Sequence, residues 1–397
     1  MSAVTSRLVQ PTDAPRVYAR ESFTSTSELT MVFLLGGLDV GGAERQAIAL
    51  ATALHRRGER VHLVAMQDGP LRAVAEQAGV PVHVVGRPFD FSPAALPQLI
   101  ACLHSIAPDV IYAFLEVQWL LALAASSTMR NTRTVLGLRT SQYGSSTLGL
   151  RDRALFRLVR RAVAHADLLI ANSPEGLTDF AAHCPTMPAG FIVPNGIDVT
   201  TLAPLPAAAG ALRRAWNIPA DALIVGHVGR LDRVKDHEML IDAFGDLARS
   251  DPRLWLVCVG DGTRERRNQL MAHARRAAVA ARVLFTGPRS DLAAVYSAFD
   301  VLALSSLREG FPNVVAEAMA CGVPAVVTRT GASAQIVGAL GEVVAAGDRA
   351  AFALALVRIL ERRSPALSAA CRIRMLDSYT LDRCAEHTMD AFRTLFP

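Results

Sequence analysis

The stretch LTMVFLLGGLDVGGAERQAIALATALHRRGERVHLVAM, Leu29 to Met66, decides the fold. It opens on LTMVFLL, a nearly unbroken apolar run of the kind a strand buried on both faces carries. A loop rich in glycine follows, with Gly36, Gly37, Gly41 and Gly42. GAERQAIALATALHRRG then returns apolar residues at helical spacing, and VHLVAM is a second apolar run. Strand, loop, helix and strand make one βαβ unit, whose two strands run parallel.

The same alternation continues outward. PVHVV, DVIYAFL, RTVLGL and DLLIAN read as further strands of a first series. After a proline-rich connector, VPNGIDVTTLAPLPAAAG, a second series runs LIVGHVG, LWLVCVG, RVLFTG, DVLALSS and VPAVVT. A chain of 397 residues is too long for one ordinary core, at roughly 100–200 residues per domain. The sequence therefore predicts an α/β protein of two Rossmann-like, doubly wound parallel-sheet domains joined near residues 194–210. In such pairs ligands bind at the carboxyl ends of strands, so the loops there and the cleft between the halves are the expected site.

Composition narrows the class. Hydrophobic residues are 51% and charged residues 19% of the chain, which excludes a disordered protein. The apolar run closest to a membrane span, Val117 to Ala125, falls far short of the ~20 residues a crossing helix needs. The first 28 residues mix Ser, Thr, Pro and Arg without the apolar centre of a signal peptide and read as a mobile tail. Cys102, Cys184, Cys258, Cys321, Cys371 and Cys384 are scattered with no Cys-x-x-Cys pair, the pattern of reduced packing thiols in a cytoplasmic protein. A net charge of +5 admits nucleic acid, an anionic membrane or a phosphorylated ligand. With aromatics at 6% and no basic run interleaved with them, nucleic acid is disfavoured. The cluster Arg151, Arg153, Arg157, Arg160 and Arg161 has two readings, a solvated helix face or a dock for anionic headgroups.

Three loops carry candidate chemistry. The first, GGLDVGGAERQ, places Gly41 and Gly42 where a helix start offers free amides to an anion, but it is not a G-x-G-x-x-G fingerprint. No acidic residue ends the next strand, which disfavours a nicotinamide enzyme. The second, GRLDRVKDHEMLIDAF, sets Arg230 after a strand and Lys235 five residues on, at the start of a helix marked by Met239, Leu240, Ala243 and Phe244. Lys235 is the only lysine among 41 Lys and Arg residues. A planar fork and a compact point charge suit a diphosphate. The third, SSLREGFPNVVAEAMACGVPAVVT, holds Glu309 and Glu317 with seven residues between them. Pro312 suits a first helical turn, which would leave the amides of Asn313, Val314 and Val315 free for an anion. Glu317 falls about a turn inside that helix, and Glu309 stays in the loop before it.

These loops, with GGAERQ, ANSPEG, VPNGID, VGDG and GPRSD in this order, resemble the retaining glycosyltransferases of family 4, which use nucleotide sugars and have two facing Rossmann-like domains, the GT-B fold. The resemblance covers nearly everything after the tail. It implies that Arg230 and Lys235 hold the donor diphosphate and that Glu309 contacts sugar hydroxyls. The backbone of Gly310, Phe311, Pro312, Asn313, Val314 and Val315 would meet sugar and phosphates, and Glu317 would hydrogen-bond the ribose. The single lysine thus falls on the family's phosphate lysine. One departure stands out. Many relatives carry His-x-His at the end of the fourth strand, where DVIYAFLEV has Tyr112 and Phe114. Glu116 and Arg139 are candidates for the space such a His would fill on the acceptor side, with structural roles equally open. Transfer without a protein base is feasible if the departing phosphate takes the acceptor's proton, which puts the catalytic weight on Arg230, Lys235 and Glu309.

The sequence reading divides the chain into a tail (1–28), an acceptor-side domain (29–200), a donor domain (201–376) and a C-terminal helix that crosses back (377–397). It expects transfer of a hexose from a nucleotide-diphosphate sugar to a saccharide or lipid-linked acceptor, in cell-surface polysaccharide or glycolipid assembly. No cofactor is expected and no metal, since no Asp-x-Asp and no paired histidine ligands occur. The expected location is the cytoplasm or the cytoplasmic face of the membrane. Two alternatives are a nucleotide-sugar 2-epimerase-like isomerase, which would want clustered acids and His in the cleft, and an inactive sugar-nucleotide-binding protein, which would bind donor without turnover.

Overall fold

The computed structural model describes residues 28–39, 41–86, 95–140 and 150–396. The tail read at the N-terminus lies outside these residues apart from Glu28, as does the Arg151 side chain. The chain divides into two compact units, residues 1–194 with 384–397, and residues 195–383.

The first unit holds β1 (Thr30–Leu35), β2 (Arg60–Ala65), β3 (Val82–Val84), β4 (Val110–Phe114), β5 (Arg133–Leu138), β6 (Leu168–Ala171) and β7 (Gly190–Ile192). Among the described residues these form one sheet in the order β3-β2-β1-β4-β5-β6-β7, parallel throughout. Every residue of β1 and β4 is buried, which is what unbroken apolar runs such as TMVFLL and VIYAF require.

The second unit holds β8 (Leu223–Val228), β9 (Leu254–Val259), β10 (Val283–Gly287), β11 (Val301–Leu304), β12 (Ala325–Thr328) and β13 (Glu342–Val344). Their order, β10-β9-β8-β11-β12-β13, is again parallel. Strand order reverses between β8 and β11, so the connections after these two strands leave in opposite directions and open a crevice at their carboxyl ends. At Gly226, in the middle of β8, a Cβ would lie 2.0 Å from the Phe299 ring, so only glycine lets Phe299 pack onto the strand.

Two strands escape a reading of apolar runs. β7 and β13 span three residues each and are partly exposed, so neither reads as a buried run. The second half of the proline-rich connector is also structured. Pro206–Ala215 is a helix, started by a proline whose missing N–H costs nothing in the first turn and held by buried Ala209 and Leu212. The second unit is closed where the chain enters and leaves it, as Ile197 N donates to Tyr379 O at 2.7 Å and Leu381 N to Ile197 O at 3.2 Å. All six cysteines are free, and all but Cys102 are buried.

Candidate functional site

The loop after β8 is shaped by two aspartates. Asp232 Oδ1 accepts from Val234 N at 2.9 Å and fixes the tight turn Arg233–Lys235. Asp236 then takes a left-handed conformation (φ 47°) and caps the helix His237–Ala248, accepting from Met239 N at 3.4 Å. Lys235 therefore precedes the helix rather than opening it. The reversal needs one residue with positive φ, a conformation that short polar side chains tolerate and that gathers at functional sites.

That turn is bonded to the segment after β11. Ser305 Oγ donates to Lys235 O at 2.7 Å, and Leu307 N donates to Val234 O at 2.8 Å. The two loops at the switch point are thus one unit, and across them Lys235 Nζ meets Glu309 Oε1 at 2.6 Å. Their side chains are only 19% and 12% exposed, so the pair is held away from bulk water, where charges act more strongly. Below it on β8, His227 is fully buried and its Nδ1 faces Ala303 O at 2.9 Å, so that nitrogen carries the proton. The His237 ring packs against it edge to face at 4.5 Å.

The Glu309 segment is braced from β12. Ala332 N donates to Gly310 O at 2.8 Å, and Gly331 has φ +52° with no room for a side chain, since a Cβ would lie 2.1 Å from Gly310 O. Phe311 is buried, its ring 5.9 Å from that of Tyr379. Pro312 turns out to be the cap rather than the first helical residue, with ψ 90°, and the helix runs Asn313–Ala320. Val315 N donates to Pro312 O at 3.0 Å, so the expectation of a free amide there is corrected. The amides of Asn313 and Val314 remain without a backbone acceptor among the described residues. Asn313 Oδ1 accepts from Asn195 Nδ2 at 2.8 Å, which ties the helix start to the VPNGID segment. One turn on, Glu317 Oε2 accepts from Tyr296 OH at 2.5 Å. Burial, with the Glu317 carboxylate beside it, pushes the Cys321 thiol up to about 12 and keeps it neutral.

Arg230 is placed differently. Its side chain is 83% exposed and lies 3.5 Å from Asp232. The remaining predicted residues belong to the first unit. Gly41 caps the helix Gly42–Arg56 without a side-chain bond, and Gly42 has open space where a Cβ would stand. Tyr112 and Phe114 are buried in an aromatic cluster with Phe33 and Phe392. Arg139 covers that cluster, its guanidinium 4.8 Å from the Phe114 ring centre and donating to Tyr112 OH. Burial pushes the Tyr112 phenol up to about 12, so it stays protonated. Glu116 opens the helix Glu116–Ser126, just after Leu115 at φ 70°.

Sequence reasoning missed three supports of the site: Ser305, Asn195 and Tyr296. Asn195 and Ser305 lie in stretches that were visible, VPNGID and SSLREGFPN, but as polar residues with no charge to single them out, and Tyr296 sits in an apolar segment with no local mark of function. Among the described residues no three His, Cys, Asp or Glu side chains gather as a metal ligand set.

The chain matches the family described as Glycosyltransferase Family 4 over residues 40–201 and that described as Glycosyl transferases group 1 over residues 222–362. It is 31% identical over 354 residues to a D-inositol 3-phosphate glycosyltransferase of Actinosynnema mirum, covering 81% of this chain and 84% of that protein. The enzyme of the same name from Corynebacterium diphtheriae is 28% identical over 354 residues, covering 82% and 83%. Among solved structures, Anabaena Alr3699/HepE in complex with UDP-glucose superposes with a TM-score of 0.80 at 24% identity, covering 92% of this chain and all of that one, a likeness of fold.

Proposed function

Because the chain belongs to glycosyltransferase family 4, with the two Rossmann-like domains of the GT-B fold, we propose that it transfers a hexose from a nucleotide-diphosphate sugar to a hydroxyl with retention at the anomeric carbon. The observation that carries this reading is the pairing of Lys235 with Glu309 at the switch point of the second unit, where a cation for phosphate and an acceptor for sugar hydroxyls meet at 2.6 Å. Arg230, exposed on the same loop, closes on the diphosphate as a planar fork. The amides of Asn313 and Val314 face the same anion at a helix start. Glu317 takes the ribose. In the first unit, Gly41 and Gly42 approach the donor, and Glu116 and Arg139 serve the acceptor.

Chemically, the task of these residues is to stabilise the departing phosphate. Charge grows on the bridging oxygen as the sugar takes on oxocarbenium character, and Lys235, held in place by its turn, offsets it together with Arg230 once that side chain has closed on the phosphate. The same phosphate takes the acceptor's proton, so neither a protein base nor a metal is needed. Solved neighbours bearing UDP or UDP-glucose support a donor of this class. A solved neighbour involved in lipopolysaccharide biosynthesis supports a role in cell-surface assembly.

We place the enzyme at the cytoplasmic face of a membrane. No described helix is long and apolar enough to cross one. The helix Leu150–Ala162 instead exposes Arg153, Arg157, Arg160 and Arg161, with Leu158 53% exposed beside them, a composition suited to anionic headgroups.

The test is thermal stabilisation of the protein and its Lys235→Ala variant by UDP-, GDP-, ADP- and dTDP-sugars. A ligand at 100 times its Kd adds about 2.7 kcal/mol to the folded state. One nucleotide should shift the wild type and lose its effect in the variant. No shift with any of them would remove the donor reading.

A further inference from the structure

Tyr296 lies on the helix Leu292–Ser297, which follows β10, while Glu317 lies on the helix Asn313–Ala320, which follows β11. The tyrosine is fully buried, and its ring packs edge to face with Phe299 at 6.3 Å in the same core as Val315, Ala316 and Met319. Nothing about that packing calls for a hydroxyl. Yet the hydroxyl reaches out of the core and donates to the Glu317 carboxyl at 2.5 Å. A glutamate has three rotatable side-chain bonds, and a fixed phenol on one carboxylate oxygen sets the direction of the other.

We infer that Tyr296 is the positioning residue that makes this site select ribose over 2-deoxyribose, by aiming the Glu317 carboxylate at the 2′-hydroxyl. The inference rests on the reading of Glu317 as the ribose ligand and adds what holds it in place. A donor that lacks the 2′-hydroxyl leaves a preorganised carboxylate without the donor it is set for, whereas a mobile carboxylate turns away at little cost. Selectivity therefore belongs to the pair.

The test measures Kd for UDP, GDP and ADP, each against its 2′-deoxy counterpart, by calorimetry on the full chain and on Tyr296→Phe and Glu317→Gln. The wild type should prefer the ribose form of its nucleotide by roughly 10- to 100-fold, the worth of one hydrogen bond to a charged group. In Tyr296→Phe the ratio should fall to about 3-fold or less, and hydrolysis of the matching nucleotide sugar should show a raised KM with kcat little changed, since the ribose is remote from the reacting centre. A structural loss alone would lower both affinities and keep the ratio. If Glu317→Gln loses the ratio and Tyr296→Phe keeps it, the inference is overturned and the ribose role of Glu317 stands. If Glu317→Gln keeps it as well, the ribose reading itself fails. Should Tyr296→Phe not fold, Tyr296→Met asks the same question, because it also keeps an apolar side chain in the core and removes the hydroxyl.

Discussion

Lys235 Nζ stands 2.6 Å from Glu309 Oε1, and the two residues reach each other from strands β8 and β11, on either side of the point where strand order reverses. The contact is made by backbone as much as by charge. Ser305 holds the Lys235 carbonyl, and Leu307 N holds that of Val234, so the lysine arrives at the glutamate on a fixed path. Its side chain is compact enough to fit a space only 19% open to solvent.

From this follows the expected behaviour of lysine variants. Lys235→Ala should lower kcat/KM by roughly 10²–10³, the cost of one well-aimed donor to developing charge. Lys235→Arg should also be damaging, because the planar guanidinium needs a wider space and binds in a different geometry. Steady-state kinetics with the identified donor decide the matter. An arginine variant with wild-type constants would show that the charge alone suffices.

Gly331 gives a prediction of a different kind. With φ +52° and a prospective Cβ only 2.1 Å from Gly310 O, it cannot carry a side chain unless the Glu309 segment moves. Gly331→Ala should cost more than the ~1 kcal/mol of an ordinary glycine replacement at positive φ. It should also weaken donor binding, because the displaced residues are those proposed to hold the donor. Chemical denaturation and calorimetry on one preparation check both. Weakened stability with unchanged donor affinity would show that the loop's position does not matter to the site.

Much of this was legible from residues alone, for reasons that differ along the chain. Buried parallel strands announce themselves as apolar runs, and β8 with its five buried residues is an example. β7 and β13 do not, since short edge strands are half solvated and carry no such run. Within the site, Lys235, Glu309 and Glu317 stood out because their spacing and charge are unusual, but their supports did not. Tyr296 reads as one more apolar position of a helix, and its partner is 21 residues away on another element. The cap at Pro312 was misplaced by one residue, since proline is tolerated on either side of a helix start and only ψ tells which.

Arg139 should separate acceptor from donor. Its guanidinium lies over Phe114 and donates to Tyr112 OH, within the first unit, while Lys235 and Glu309 belong to the second. Arg139→Leu keeps an apolar cover for the two rings and removes the charge. It should leave the Kd of the donor nucleotide unchanged and raise KM for the acceptor by about tenfold, the worth of roughly one hydrogen bond. Equal losses for both substrates would count against an acceptor role, and no loss in either would make Arg139 purely structural.

His227 and His237 are buried edge to face beneath the Lys235 turn, and burial holds both below the ordinary histidine range, His237 at about 4. Both are neutral in the fold, whereas an unfolded histidine takes a proton near 6.5. As pH falls below 6.5 the unfolded chain binds more protons than the native one, so stability is complete above that value and is lost toward pH 4. His237 alone accounts for about 3 kcal/mol over this window. His227 adds to the loss in the same direction. Urea denaturation of the wild type and of His237→Leu at pH 7.5, 6 and 5 measures it, the variant losing less stability as the medium is acidified. Parallel slopes for the two proteins would mean that His237 already carries its proton in the fold.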